Sequence, residues 1–180
     1  MNIPEEVTFE EAQALTQSLI TKMEAGEISQ PEAGEAIASL IKTENGARGF
    51  FVTYLTSEGS LADSPSPEII QALQSSPDQV AGLLVKNLAM SAAMAFIHRQ
   101  DGNQEMARGS DRVKSRTVNL IQKVELTKVT ELAAQLRESA VTGEGTYKTF
   151  LQRWQYSAEQ REIISQVLVD ILPNLSTEES

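Results

Sequence analysis

The sequence contains no cysteine and a single histidine, His98. Without cysteine the chain forms no disulfide, thiolate metal site or cysteine nucleophile, and a reducing compartment such as the cytoplasm is weakly favoured. Zinc sites and di-iron helical bundles need further cysteine or histidine ligands. No glycine-rich phosphate loop occurs either. The sequence therefore predicts no catalytic residue, no metal and no cofactor, and it favours a protein that is not an enzyme.

Basic residues are outnumbered, with 15 lysines and arginines against 25 acids and a formal net charge of −10. The excess is concentrated in residues 1–65, which carry eleven acids and three bases. Because an acidic surface repels phosphate backbones, we expect no nucleic-acid partner.

One apolar run, 80–97, is long enough to raise the question of a membrane span. Lys86, Asn87 and Ser91 interrupt the run, and its flanks lack the usual aromatic and basic belts. The N-terminus has neither the basic nor the apolar region of a signal peptide. We therefore expect a buried core helix and no membrane partner.

Helix start signals recur along the chain. Thr8, Ser29 and Ser157 are each followed three residues later by Glu or Gln, which is the spacing of a capping box. Ser66 and Ser76 each precede a proline that suits the first turn of a helix. With apolar residues at helical spacing after these starts, the sequence predicts an all-α fold, a bundle of about eight or nine helices.

Two long helical patterns, 78–99 and 103–124, flank the turn Asp101-Gly102-Asn103. They predict a central antiparallel helix hairpin. Residues 47–57 fit either a helix or a strand, and the lack of a partner strand favours a helix. The helix that starts at Ser29 is expected to end at Asn45-Gly46.

Composition also suggests a division of the chain. Residues 1–57 are expected to form an N-terminal helical sublobe and 58–67, rich in serine and proline, a linker. Residues 68–173 would then form the main helical bundle, and 174–180 a disordered tail.

A polar stripe marks the first helix of the predicted hairpin. At about 100° per residue, Asn87, Ser91 and His98 fall on one side of a helix that is otherwise apolar nearly all round. Together with Arg112 of the facing helix they are candidates for binding a small molecule or an anion. The alternative is a structural network that fixes the register of the two helices.

The second helix of the hairpin carries a basic stripe of four residues. Arg108, Arg112 and Arg116 follow one another at intervals of four, and Lys123 rejoins the same side. We expect this stripe to face outward and to bind an acidic partner protein, an anionic ligand or the chain's own acidic N-terminal region. The alternative is an ordinary solvated helix face.

Tyr147, Phe150 and Trp154 share one face of a short helix, and Tyr156 follows closely. Core packing is the simplest interpretation of such a cluster. Exposure of Trp154 and Tyr156 would instead indicate an interaction hot spot, and an exposed apolar face there would suit a homodimer.

Two segments, 45–55 and 110–116, read Asn-Gly-Ala-Arg-Gly-Phe-Phe-Val-Thr-Tyr-Leu and Ser-Asp-Arg-Val-Lys-Ser-Arg. They resemble segments of uncharacterised all-α proteins from cyanobacteria, and the resemblance extends in overall texture along the chain. No motif of that family has a known chemistry. The resemblance therefore implies a cytoplasmic bacterial protein and assigns no functional residue.

The leading hypothesis for function is a non-enzymatic protein-interaction or regulatory protein, because amphipathic helices and a charged stripe are present and no catalytic constellation is. The alternative is a small-molecule or anion-binding protein, or an enzyme, with its polar site near Asn87, Ser91 and His98.

Overall fold

The computed structural model describes residues 1–172, and the predicted tail at 174–180 lies outside them. Within the described residues the chain forms nine α-helices, one short 3₁₀ turn and no strand, so the predicted all-α bundle is confirmed. The elements are α1 (Phe9–Glu24), α2 (Gln30–Leu40), α3 (Glu44–Thr56), the 3₁₀ turn Leu61–Asp63, α4 (Pro67–Gln74), α5 (Pro77–Gln100), α6 (Gln104–Val124), α7 (Thr127–Thr142), α8 (Lys148–Arg153) and α9 (Ala158–Ile171).

The three predicted capping boxes are confirmed. Thr8, Ser29 and Ser157 each accept a hydrogen bond from the backbone N–H three residues on, and the side-chain oxygen of the Glu or Gln at that position accepts one from the backbone N–H of the cap residue. Each box satisfies two N–H groups that a helix end leaves without partners. Hydrogen bonds from the Ser29 hydroxyl and N–H hold the pKa of the Glu32 carboxyl below its usual range.

The ambiguous segment 47–57 is helical up to Thr56, where α3 ends, and Ser57 caps the helix. Thr43 starts this helix, because its hydroxyl accepts from the N–H of Gly46 at 3.1 Å. The prediction that Asn45-Gly46 ends the preceding helix is therefore wrong, since α2 already ends at Leu40 and both residues lie in the first turn of α3. A threonine cap outweighs the turn preference of Asn-Gly here.

The contacts divide the chain into two compact units. The first unit comprises 1–83 and 119–126, and the second comprises 84–118 and the residues from 127 on. The segment 58–67, predicted as a linker, lies inside the first unit, where Ala62 and Pro65 are buried. Residues 1–57 are part of the same unit.

In the first unit α1 packs on α3 and α2 packs on α4. Helix α3 contributes the largest buried side chains, and the rings of Phe50 and Tyr54 stack with centroids 5.1 Å apart. Gly49 of α3 lets this helix approach α1 closely. A Cβ atom at this position would lie 2.5 Å from the Cβ of Ala12 and 2.8 Å from the carbonyl oxygen of Phe9.

In the second unit the predicted hairpin is formed by the later part of α5 and the earlier part of α6. Gly102 adopts a φ of 73°, and the Asn103 N–H donates to the carbonyl of His98 at 2.8 Å, as in a Schellman motif. The Asn103 side chain then accepts from the Met106 N–H at 3.2 Å and starts α6. Beyond the turn, Arg99 forms an ion pair with Asp111.

Helix α5 is apolar nearly all round, and its length and composition would allow it to cross a membrane. Within its most apolar stretch 56% of the residues are buried inside the protein. Leu84, Val85 and Leu88 have no exposed surface at all. This burial is typical of the core helix that the interrupted apolar run predicts.

Replacing Gly49 by alanine should destabilise the protein, because the new methyl group has no space between α1 and α3. We expect a cost of about 1–3 kcal/mol. Gly109→Ala in α6 is the matched control: no atom lies within 4 Å of its Cβ position, and we expect a gain of about 0.5–1 kcal/mol. Urea unfolding measures both. Equal effects of the two substitutions would contradict the close approach at Gly49.

Candidate functional site

The three residues of the predicted polar stripe do not form an open site. The hydroxyl of Ser91 is buried and donates to the carbonyl of Leu88 in its own helix at 3.1 Å. Asn87 and His98 are half-buried, and none of the three lines the clefts described below. Asp111, which could have faced the stripe, pairs with Arg99 instead. The Ser91 bond lies within α5 and joins no second helix, so both the ligand site and the register network stay predictions.

The basic stripe on α6 is only partly exposed. Arg108, Arg112 and Lys123 are exposed, as predicted. The prediction is wrong for Arg116, which retains 2% of its surface. A line of residues at intervals of four turns by about 40° per step around a helix, so the third arginine reaches the side of the fully buried Leu120.

The aromatic cluster splits into a packed part and an exposed part. Phe150 contacts Tyr147 and Tyr156 edge to face, with ring centroids 6.0 and 6.3 Å away. The ammonium group of Lys86 lies 5.7 Å from the centroid of the Phe150 ring. Trp154 lies outside this packing and exposes 51% of its surface. Exposure of both Trp154 and Tyr156 was the predicted sign of an interaction hot spot. Only Trp154 is exposed, because Tyr156 is half-buried.

A cationic cleft of about 310 Å³ lies in the second unit, where the end of α7, α8 and the first turn of α9 meet. Its charged residues are Lys148 and Arg161, and no carboxylate lines it. The remaining lining residues are Gly143, Leu151, Gln152, Gln155 and Tyr156. Such a lining can bind an anion through two cations, two amides and a phenol.

The cationic cleft was not predicted from the sequence. Its two cations, Lys148 and Arg161, are thirteen positions apart and belong to different helices. The one signal was Gly143-Glu144-Gly145, a break between helices. Both glycines adopt positive φ values, of 75° and 92°, as glycine allows at no steric cost.

The largest described cleft, about 660 Å³, lies in the first unit between α1 and the end of α3. Its only charged residues are Glu24 and Glu58, and amides and hydroxyls of Gln13, Gln17 and Thr53 add polar groups. The lining would favour a polar or cationic ligand. Within residues 1–172 no three histidine or carboxylate side chains gather as metal ligands.

A third, shallow groove of about 270 Å³ runs beside α5 and α9 in the second unit. Ala92 and Ala95 form its floor, and Phe96 and Val167 add apolar surface. Lys114 lies at its edge. Arg99, Gln166 and Asp170 also line the groove, and Arg99 is already paired with Asp111.

The excess of acidic over basic residues lies in the first unit. The residues of the first unit include fourteen acids and four bases, whereas those of the second include eleven of each. The local field therefore disfavours anions near the first unit and leaves the second without net repulsion.

The comparisons with known proteins confirm the resemblance to an uncharacterised family. A family model matches residues 8–171, and its description is that of an uncharacterised conserved protein. No curated protein matches the chain. No solved structure matches it either.

Tyr156 should make stability depend on pH in the alkaline range. Burial raises its pKa to about 12 in the folded protein, whereas an unfolded tyrosine ionises near pH 10. The unfolded state therefore loses this proton first, and the stabilisation, complete below about pH 10, is lost as pH rises towards about 12. Melting temperatures between about pH 8 and about pH 11 should fall less for Tyr156→Phe than for the wild type. Equal falls would contradict the assignment to Tyr156.

Proposed function

The chain belongs to the family of uncharacterised conserved protein UCP020893, and within that family we propose that it is a non-enzymatic module that binds an acidic partner protein. The observation that carries this proposal is the exposure of Trp154 beside a well-packed aromatic cluster. Half of the surface of a tryptophan is a large apolar area to leave in water, and tryptophan is the residue most enriched at the centres of protein interfaces.

The backbone around Trp154 is well ordered. The Trp154 N–H donates to the carbonyl of Phe150 at 3.4 Å, and the Gln155 N–H donates to that of Gln152 at 3.0 Å. Gln155 adopts a φ of 51°, a conformation that non-glycine residues rarely take. A side chain presented by a fixed turn loses little conformational entropy when a partner covers it.

The acidic character of the partner is inferred from α6. Arg108 and Arg112 are exposed one turn apart, and no carboxylate within residues 1–172 forms an ion pair with either. Lys123 is exposed further along α6 but belongs to the first unit, so it is not counted as part of this surface. Arginine binds carboxylates through a planar, two-pronged contact, which suits an acidic protein surface. Arg116 no longer belongs to this surface because it is buried.

Trp154→Ala should weaken partner binding by about 30-fold, the effect of losing an interface hot spot. The tagged protein is used to capture its partner from a lysate of the source organism, and the affinity for that partner is then measured. Val52→Ala, which removes another exposed apolar side chain in the first unit, is the control and should bind as the wild type does. A partner that binds both variants equally would exclude Trp154 as the centre of the interface.

Arg108→Ala/Arg112→Ala should slow association with the same partner several-fold at low salt, and the difference should shrink at high salt because exposed charges are screened. Lys42→Glu is the matched control: it changes the net charge by the same amount at an exposed position of the first unit. Equal slowing by both variants would mean that total charge, and not this arginine pair, selects the partner.

Sedimentation velocity separates a second copy of the chain from a different partner. A homodimer through Trp154 would give a size that rises with protein concentration and that falls to the monomer in Trp154→Ala. A heterologous partner predicts a monomer at every concentration, whereas pairing of the arginines with the acidic first unit of a second copy would give a size that rises with concentration.

A further inference from the structure

We propose that the cationic cleft binds a small organic anion through a carboxylate or phosphate group. The cleft adjoins the partner surface proposed above, because Trp154 stands between the lining residues Gln152 and Gln155 in the chain, but no lining residue belongs to that surface. The cleft volume of about 310 Å³ lies at the lower end of the range of small-molecule sites. A compact metabolite fits this space, and a nucleic acid or a long polyanion does not.

Arg161 is the principal anion-binding group. It is half-buried in the first turn of α9, and no carboxylate within residues 1–172 pairs with it. Its Nη1 atom lies 3.2 Å from the position that a Cβ atom of Gly143 would occupy. The guanidinium group therefore lies against the bare backbone of Gly143. A partly desolvated arginine without an acidic partner gains most from an oxyanion.

Lys148 has a partner that a ligand can replace. Its ammonium group lies 2.8 Å from a carboxylate oxygen of Glu144, whose side chain is 70% exposed. An exposed pair of this kind contributes little free energy. An oxyanion beside Arg161 can therefore attract Lys148 away from Glu144, so that Glu144 acts as a competing internal anion.

Neutral hydrogen-bond donors complete the cleft. Tyr156 offers a phenolic O–H, since even an ordinary tyrosine is protonated at neutral pH, and the side-chain amides of Gln152 and Gln155 each offer two N–H groups. Leu151 adds apolar surface for the uncharged part of the ligand. The combination favours a molecule with one oxyanion group and a short body over a free multivalent ion.

Buried hydrogen bonds hold the walls of the cleft in place. The hydroxyl of Ser139, which has no exposed surface, accepts from the Tyr147 N–H at 3.0 Å and fixes the loop before α8. The side chain of Gln160 donates to the carbonyl of Ala93 in α5 at 3.3 Å and fixes the first turn of α9, next to Arg161. The site is therefore preformed, and binding requires little ordering of the protein.

Titration of the ¹⁵N-labelled full chain with inorganic phosphate and, separately, with succinate tests the site by NMR. We expect saturable shifts at the amides of Gly143, Gln152, Gln155 and Tyr156. The anion that gives the tighter binding shows whether the natural ligand carries a phosphate or a carboxylate.

Three variants make the test specific. Arg161→Gln should weaken binding by about tenfold or more, because a charged hydrogen-bond donor is lost. Glu144→Gln should strengthen it, because the competing internal anion is removed. Arg153→Gln removes a charge from an exposed residue of α8 and should change nothing.

The proposal is overturned if neither anion gives a saturable shift at these amides. It is equally overturned if Arg161→Gln and Arg153→Gln have the same effect, because binding would then reflect overall charge and not the cleft. Dispersion of the amide signals checks that each variant is folded. Loss of the partner interaction leaves this result untouched, since no residue of the partner surface is changed.

Discussion

Helix α5 has only a narrow polar stripe of Asn87, Ser91 and His98, so most of its remaining surface has to be buried by the rest of the protein. Its alanines at 89, 92 and 93 retain at most 4% of their surface, because small side chains let neighbouring backbones come close. One such neighbour is α9, whose Gln160 reaches the carbonyl of Ala93. Through this bond the buried core sets the position of Arg161, one residue further along α9.

The position of the candidate surfaces also depends on where a short helix ends. Trp154 is four residues beyond Phe150, and in a continuing helix both side chains would share one face. Helix α8 ends at Arg153, however, and the chain turns at Gln155 with a positive φ. Trp154 still donates its N–H to the carbonyl of Phe150, but it is the last residue before this turn and half of its surface remains exposed. The turn carries Gln155 and Tyr156 to the cationic cleft, which Gln152 of α8 also lines.

Much of the fold could be predicted from local signals. Capping boxes at Thr8, Ser29 and Ser157 and the turn at Gly102 depend on residues a few positions apart, and each was confirmed. Arg116 was wrongly predicted to be exposed, because residues at intervals of four rotate gradually around the helix and the third arginine reaches the buried side. The cationic cleft was missed because its residues come from the end of α7, from α8 and from α9. The distance between Gly143 and Arg161 cannot be predicted from a local sequence pattern.

The central claim is that Trp154 is an uncovered binding residue on the isolated protein. Trp154 is the only tryptophan of the chain, so tryptophan fluorescence with acrylamide as the quencher measures its accessibility directly. We predict an emission maximum close to that of a solvent-exposed indole and efficient quenching, both independent of protein concentration. A blue-shifted emission that resists quenching would contradict the account, because Trp154 would then be covered by the protein itself or by a second copy.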